Sequence, residues 1–327
     1  MSVHKMNKLD AVSASSDTID FWCPCCHGKQ LQSSTAGLHC SACGQHFSIT
    51  QDVPVLINDT NSVFEASDYI FKGSYVGASY GSDEDLTKGF RGMYRRTVAR
   101  ISEPGVATSE MNADKAIDAV CSFVSNPRIL VIGAGVKRYG QRARIVYSDV
   151  AFSKGIHVIA DAHDLPFSDQ VFDLVIAIAV LEHVADPYRV VREIHRTLKT
   201  EGSVYAVTPF MQPVHMGAYD FTRFTHLGHR RLFRYFSETS SGMALGPGSV
   251  VGSSLKALAV SLTSSRNLRR ILNLLGILLA VPFKWLDHVT KKSPFAIDGA
   301  GGVYFFGKKA EIPISDRELI SLYRGGQ

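Results

Sequence analysis

The sequence predicts an α/β fold in which a doubly wound, mostly parallel sheet follows a small cysteine-rich module. Three observations carry this reading. Short apolar runs ending near Gly, Asp or Ala recur between residues 128 and 207 and alternate with polar connections, the pattern of strands buried on both faces. The first run, Ile129 to Ile132, closes on Gly133-Ala134-Gly135. Five of the six cysteines lie between Cys23 and Cys43.

The chain has 327 residues, room for one large domain and a small one. Apolar content of 45% and charged content of 20% are ordinary globular values. A net charge of +5 is too weak to point to nucleic acid. The opening "MSVHKMNKLDAVSASSDTID" has no apolar run of the ~7–15 residues a signal peptide needs. Residues 1–20 read as a disordered leader, and the chain as cytoplasmic. Clustered cysteines without an export signal indicate metal rather than disulfides.

In "FWCPCCHGKQLQSSTAGLHCSACGQHFSI", two CxxC turns, Cys23/Cys26 and Cys40/Cys43, stand thirteen residues apart. Such turns can place four thiolates tetrahedrally around Zn²⁺, and Gly44 suits the second turn. Cys25 offers an alternative register or is a free thiol. His27, His39 and His46 read as bystanders. The continuation "GQHFSITQDVPVLIND" resembles the Trm112-type zinc ribbon, with Val53-Pro54-Val55-Leu56 filling the place of its "G-I-P-x-L" segment. A ribbon over 21–59 is too small for a core, so bound zinc would supply its folding energy.

Residues 60–120 form a linker with cap helices expected over Leu86–Ile101 and Asp114–Val124. Phe64, Tyr69, Phe71, Tyr75 and Tyr80 either cap a ligand pocket or pack on the surface. After Gly135, strands are expected over Ile145–Ser148, Ile156–Ala160, Phe172–Ala179 and Val204–Val207. The helix between the last two has Asp186 as N-cap, Pro187 in its first turn, and Val190, Val191, Ile194 and Leu198 on one face, with Gly202 as its stop.

Ligands of such sheets bind at the carboxyl ends of the strands. A dinucleotide would need G-x-G-x-x-G opening a helix, but Arg138 holds the third glycine position. The next acid, Asp149, follows Gly135 by only 14 residues, against roughly 20 in that fingerprint. The first helix is therefore cut short, and with it the usual seat of a pyrophosphate. S-adenosylmethionine carries no phosphate. It needs a glycine turn, an acid for the ribose and an acid or amide for the adenine, and Gly133, Asp149 and Asp161-Ala162 stand in that order.

The stretch "VIADAHDLPFSDQVFDLVIAIAVLEHVADPYRVVREIHRTLKTEGSVYAVTPF" resembles a class I, Rossmann-like methyltransferase of the type 11 group, through "D-A-x-x-L-P-F", "F-D-L-V", "L-E-H-V" and "L-K-x-x-G". The following "PFMQPVHMGAYDFTRFTHLGHRRLF" resembles a subfamily associated with sugar and polysaccharide clusters. The resemblance implies S-adenosylmethionine as methyl donor. Gly133 and Gly135 would lie under its methionyl part, Asp149 on its ribose, Asp161, Ala162 and His163 at its adenine, and Ala177 to Ala179 near the sulfonium. Val131 replaces the family's first-strand acid and Lys137 its third glycine, so the methionyl contacts depart from the pattern.

An oxygen acceptor also needs a base. The candidates are His183 in "LEHV", and His215 and Asp220 in "PVHMGAYDFTRFTH", with Tyr219 and His226 beside them. Arg223 either clamps an acidic acceptor or pairs with Asp220. The alternative reading of the histidines is packing or orientation.

A core over 121–252 would include strand six in "GMALGPGSVVG". An insertion over 253–298 precedes the antiparallel last strand "GGVYFFGKK" in 299–327. The run Ile271–Phe283 has 13 residues, short of the ~20 a membrane span needs. Residues 261–292 hold six Lys or Arg against one Asp. A helix so flanked lies in a lipid interface, as a peripheral inner-membrane contact through 266–292, or serves as a lid or homodimer surface. The lead reading is a methyltransferase for a small-molecule or glycan acceptor, with a lipid-linked sugar among the candidates. The alternatives are an rRNA methyltransferase with a zinc-ribbon module and a non-catalytic partner protein.

Overall fold

The computed structural model describes residues 19–34, 37–74, 109–140 and 143–326. The helix expected over Leu86–Ile101, and Tyr75 and Tyr80, lie outside them. In the N-terminal part, strands β1 (Gln32–Ser34), β2 (Gly37–His39) and β3 (His46–Phe47) form a small antiparallel sheet. Strands β4 (Ile49–Thr50) and β5 (Val53–Leu56) follow, then helices α1 (Ala66–Phe71) and α2 (Ala113–Cys121).

The central strands are β6 (Arg128–Ile132), β7 (Arg144–Asp149), β8 (Val158–Ala160), β9 (Phe172–Ile178) and β10 (Leu198–Pro209), with helix α3 (Pro187–Thr197) between the last two. Helix α4 (His226–Leu232), β11 (Phe236–Leu245), helices α5 (Pro247–Ser261), α6 (Arg266–Thr290) and α7 (Phe295–Asp298), β12 (Gly302–Lys309) and α8 (Asp316–Ser321) complete the chain. The large sheet runs β11-β12-β10-β9-β6-β7-β8-β5-β4. β5 through β10 pair in parallel, and β12 inserts antiparallel between β10 and β11.

Alternation along the strands divides the core into two layers. Leu130, Ile132, Val175, Ala177, Val204 and Ala206 face α3 and the cysteine module. Ile129, Val131, Leu174, Ile176 and Tyr205 face α2, Phe64 and Tyr69. α3 begins as expected, with the Asp186 side chain accepting from the Arg189 amide and Pro187 in the first turn. Phe64 and Tyr69 are buried, whereas Phe71 is exposed.

No helix separates β6 from β7 among the described residues. Arg138 takes its place. The guanidinium donates to the carbonyls of Gly135 (3.1 Å) and Lys137 (2.7 Å) and to Ser153 Oγ (3.1 Å), and lies 4.7 Å from the Tyr147 ring centre. A side chain thus satisfies loop carbonyls that helix hydrogen bonds would otherwise take.

Four expectations are corrected. β5 does not stay within a separate 21–59 unit: Val55 and Leu56 pair with Ile159 and Ala160 at the edge of the large sheet. Gly202 is not the stop of α3, which ends at Thr197. Gly202 lies inside β10, beside the register shift after Leu198, where a Cβ would meet the Lys199 and Phe172 carbonyls at 3.0 Å. Strand six begins at Phe236, and "GPGSVVG" starts a helix, Pro247 sitting in its first turn. Finally, the apolar helix is 25 residues long, not 13, and is long and apolar enough to cross a membrane by length and composition. Arg266, Leu268, Arg269, Arg270, Lys284 and Leu286 in its flanks continue the helix because they are good helix formers.

α5 and α6 pack as an antiparallel hairpin through small residues. A Cβ on Gly252 would lie 2.8 Å from Ala280 Cβ, and one on Gly248 would lie 2.0 Å from the Phe283 carbonyl oxygen. The buried Asp287 of α6 caps α5, accepting from the amides of Gly248 (2.7 Å) and Ser249 (3.1 Å) and from Ser249 Oγ (2.6 Å). Replacing Asp287 with Ala leaves these donors unpaired and should cost about 1–3 kcal/mol. Denaturant unfolding of Asp287→Ala should show a lowered midpoint; an unchanged midpoint would contradict this packing.

Candidate active site

The carboxyl ends of β6 to β10 meet along one edge, and two cavities open there. The smaller, about 80 Å³, is lined by Phe64, Gly133, Asp149, Asp161, Ala162, His163, Ala179, His183 and Tyr219 among others. It gathers Gly133, Asp149, Asp161, Ala162, His163 and Ala179 of the cofactor-binding residues expected from the sequence, but not Gly135, Ala177 or Ile178. Gly133 has φ +60° and approaches Val180 so closely that a Cβ would lie 2.4 Å from Val180 Cγ2.

Asp149, at the end of β7, accepts from the amides of Gly135 (2.7 Å) and Ala151 (2.9 Å). Burial pushes its carboxyl above the usual range, against the pull of these amides. A carboxylate offers about four acceptor sites, so these amides do not exhaust it. For Asp161, burial acts upward too, but His163 outweighs it and holds the carboxyl low. His163 Nδ1 is 2.6 Å from Asp161 Oδ1, and its Nε2 accepts from the Asp186 amide (3.0 Å) at the start of α3. Ser62, from the linker, donates to the other Asp161 oxygen.

These groups fit a nucleoside with a glycine turn beneath its tail. The volume is below the roughly 300–1,000 Å³ of ordinary ligand pockets. Phe64 and Tyr219, stacked at 5.5 Å between ring centres, close it and would have to part. Phe64, which the sequence left open between a cap and surface packing, lines the cavity; Ser62, bonded to Asp161, had no signal in the sequence, because nothing local marks a serine that meets an acid 99 residues away.

The larger cavity, about 650 Å³, is lined by Lys137, Ala179, Glu182, Tyr205, Gln212, His215, Ala244 and, from the hairpin, Gly252, Lys256, Ile277, Ala280 and Lys284. The two cavities share Ala179, where the chain leaves β9 with φ +54°. That turn carries Glu182 and His183 into the gap. His183 Nδ1 is 2.7 Å from the Tyr219 carbonyl oxygen, and its Nε2 is 3.1 Å from His215 Nε2. Glu182 is fully buried, and its Oε1 lies 3.6 Å from His215 Nε2, an ion-pair distance beyond hydrogen-bond reach. Glu182 is the main cause that raises the His215 imidazole above its ordinary value, followed by an opposing effect of burial.

The structure therefore brings His183 and His215 together but sets Asp220 behind them. Asp220 accepts from the His215 amide (2.7 Å) and from Arg223 (2.7 Å), so it is not open to the cavity as a base. Burial opposes ionisation of Asp220, yet Arg223 holds its carboxyl below the usual range. Arg223 is accordingly spent on Asp220 and on loop carbonyls rather than exposed to an acceptor. His226 starts α4, buried 3.2 Å from Ser241 Oγ, and lines neither cavity. Glu182 was visible in "LEHV" but carried no assigned role, because only the fold reveals that it is buried beside two imidazoles.

Residues 137–206 match the family described as a methyltransferase domain. The chain carries a methyltransferase domain. An uncharacterized protein of Methanocaldococcus jannaschii is 32% identical over 97 residues, covering 27% of this chain and 47% of that protein. The chain thus spans about half the length of the curated relative it matches. Among solved structures it is similar to the [4+2]-cyclase SpnF, at 17% identity and TM-score 0.36, over 69% of this chain and 93% of that one. It is similar also to a Haemonchus contortus phosphoethanolamine N-methyltransferase, at 14% identity and TM-score 0.38, over 71% and 61%. A Haloferax volcanii complex of the Trm112 methyltransferase activator gives 15% identity and TM-score 0.37, over 71% and 100%.

Beside the methyltransferase sheet, the four cysteines converge. Cys23 and Cys43 sulfurs are 3.6 Å apart, as are those of Cys26 and Cys40, and all four lie within 4.8 Å of one another. Tetrahedral Zn–S bonds of about 2.3 Å set sulfurs at about this spacing, so the cluster is compatible with zinc. Gly44 has φ +74°, as its turn requires. Cys25 is exposed and is not one of the four clustered cysteines. Among the expected bystanders, His39 stacks on His46 across β2 and β3.

Elemental analysis of the purified protein should find about one zinc per chain, lost in the Cys40→Ser plus Cys43→Ser variant; full retention would sink the four-cysteine assignment. In calorimetry, Asp149→Ala should weaken S-adenosylmethionine binding, since hydrogen bonds to charged groups contribute roughly 1.5–3 kcal/mol each. Equal affinity in variant and wild type would show that the ribose does not lie on β7.

Proposed function

We propose that this protein transfers a methyl group from S-adenosylmethionine to a small-molecule or glycan acceptor carried on a lipid. The supporting observation is the meeting of the two cavities at Ala179 and the identity of the larger one's outer wall. The small cavity has the polar groups of a donor site. The large one is bounded by the α5–α6 hairpin, whose outer surface exposes Leu258, Leu262, Ile271, Leu275, Leu278, Leu279, Trp285 and Val289. A contiguous apolar surface of this kind marks an interaction site. Its basic flanks suit an anionic lipid surface, consistent with peripheral attachment to the inner face of a membrane.

S-adenosylmethionine supplies an electrophilic methyl group. The chain's residues do the rest: Asp149 binds the ribose, Asp161 and the Ala162 amide meet the adenine edge, and the Gly133 turn admits the methionyl part. Holding acceptor and donor in line accounts for much of the acceleration. The proton lost from an acceptor hydroxyl leaves at the cluster of Glu182, His183 and His215. Lys137, at the mouth of the large cavity, stands where the family pattern has a third glycine and offers a cation to a carboxylate or phosphate there.

The test is co-sedimentation with anionic vesicles. Wild type should bind at low salt and release as salt rises, because screening weakens the electrostatic part. Changing both Leu275 and Leu278 to Ser should abolish binding, each leucine contributing roughly 1.5–3 kcal/mol when buried. Absence of sedimentation, with dissociation of a dimer in the same variant, would identify the hairpin as a subunit interface and move the acceptor to a soluble sugar or metabolite.

A further inference from the structure

We propose that Glu182, His183 and His215 form a binding site for a divalent transition-metal ion at the junction of the two cavities. One ligand atom from each of the three residues lies within 4.8 Å of the others. His183 Nε2 and His215 Nε2 are 3.1 Å apart, and Glu182 Oε1 is 3.7 Å from the first and 3.6 Å from the second. A point equidistant from atoms so spaced lies about 2.0 Å from each, matching metal–nitrogen and metal–oxygen bonds of roughly 2.0–2.2 Å.

Glu182 supplies the independent observation. It is fully buried, yet neither carboxylate oxygen has a hydrogen-bond partner. Buried carboxylates are ordinarily paired or bound to metal. His183 is also held as metal-bound histidines are, by a group on the far ring nitrogen, the Tyr219 carbonyl 2.7 Å from Nδ1. His215 is placed instead through its backbone, its amide donating to Asp220 (2.7 Å), whose carboxylate stands at ion-pair distance from Nδ1 (3.5 Å). The loop bearing His215 is fastened to the other two ligands, since the amides of Phe221 (2.8 Å) and Thr222 (3.3 Å) donate to the Glu182 carbonyl. Two imidazoles and a carboxylate suit Zn²⁺, Co²⁺, Mn²⁺ or Fe²⁺. Three protein ligands leave further positions, and Glu182 and His215 both line the large cavity, so an acceptor hydroxyl can complete the shell. The ion site stands on its own geometry; only its use on an acceptor oxygen rests on the proposed methyl transfer.

The experiment adds Co²⁺ to the full chain as purified and follows binding by visible absorption and calorimetry. One Co²⁺ per chain should bind with weak ligand-field bands and without the intense thiolate-to-metal charge transfer of a cysteine site. Glu182→Gln and His215→Ala should each weaken binding tenfold or more, His215 being on a partly exposed loop where truncation spares the core. His46→Ala, in the exposed part of the ribbon, should leave it unchanged. Failure to bind Co²⁺, a thiolate-type spectrum alone, or binding indifferent to both Glu182→Gln and His215→Ala would overturn the site. Affinity for S-adenosylhomocysteine, measured on the same samples, separates the two readings: retained affinity without Co²⁺ binding removes the ion site alone, whereas Co²⁺ binding without it upholds the ion site and removes the donor pocket.

Discussion

The parallel pairing of Val55 and Leu56 with Ile159 and Ala160 is the constraint on which the arrangement depends. It brings the cysteine module to the edge of the sheet where β8 ends in Asp161. Cys23, Leu31, Cys40 and Phe47 pack into the same core layer as Leu130, Val175 and Phe167. Asp164, three residues beyond Asp161, accepts from Asn58 (3.0 Å) and Asn61 (3.1 Å) and also pairs with Arg189 of α3. The Trp22 amide donates to the Pro166 carbonyl (2.9 Å). A metal that folds the module would therefore also brace the loop of Asp161 to Asp164 at one end of the small cavity. The cysteine module is thus packed into the core of the large sheet.

The sheet was legible in the sequence because its strands are buried on both faces and read as short unbroken apolar runs. The start of α3 was legible because capping is local: Asp186 and Pro187 act within one turn. The missing helix between β6 and β7 was readable from chain length alone. What failed were features decided by distant partners. Gly202 looks like a helix stop until the register of β10 against β9 shows why a side chain cannot fit there. "GPGSVVG" reads equally as a glycine-rich strand end or a Pro-started helix, and the cap supplied by Asp287, 39 residues away from Gly248, decides it. The apolar run of α6 was bounded by hydropathy, whereas the helix is bounded by packing along α5.

The site shows the same division. Gly133, Asp149, Asp161, Ala162, His163 and Ala179 come together because each ends a parallel strand or follows one, a property of sheet order. The histidines were separable only in space: His183 and His215 meet, while His226 turns into the protein behind α4. Asp220 loses its expected role to Arg223, and Glu182 gains one through burial. The result is a small closed cavity and a wide one joined at the Ala179 turn, with Glu182, His183 and His215 at the junction and an apolar hairpin beyond.

The central claim is that the small cavity admits the nucleoside of a methyl donor and directs its sulfur toward the large one. A crystal structure with S-adenosylhomocysteine tests it most directly. The account predicts ribose hydroxyls on Asp149, the adenine edge at Asp161 and the Ala162 amide, Phe64 moved off Tyr219, and the sulfur facing Ala179 and His183. A ligand lodged in the large cavity with Asp149 untouched and Phe64 still stacked on Tyr219 would contradict it.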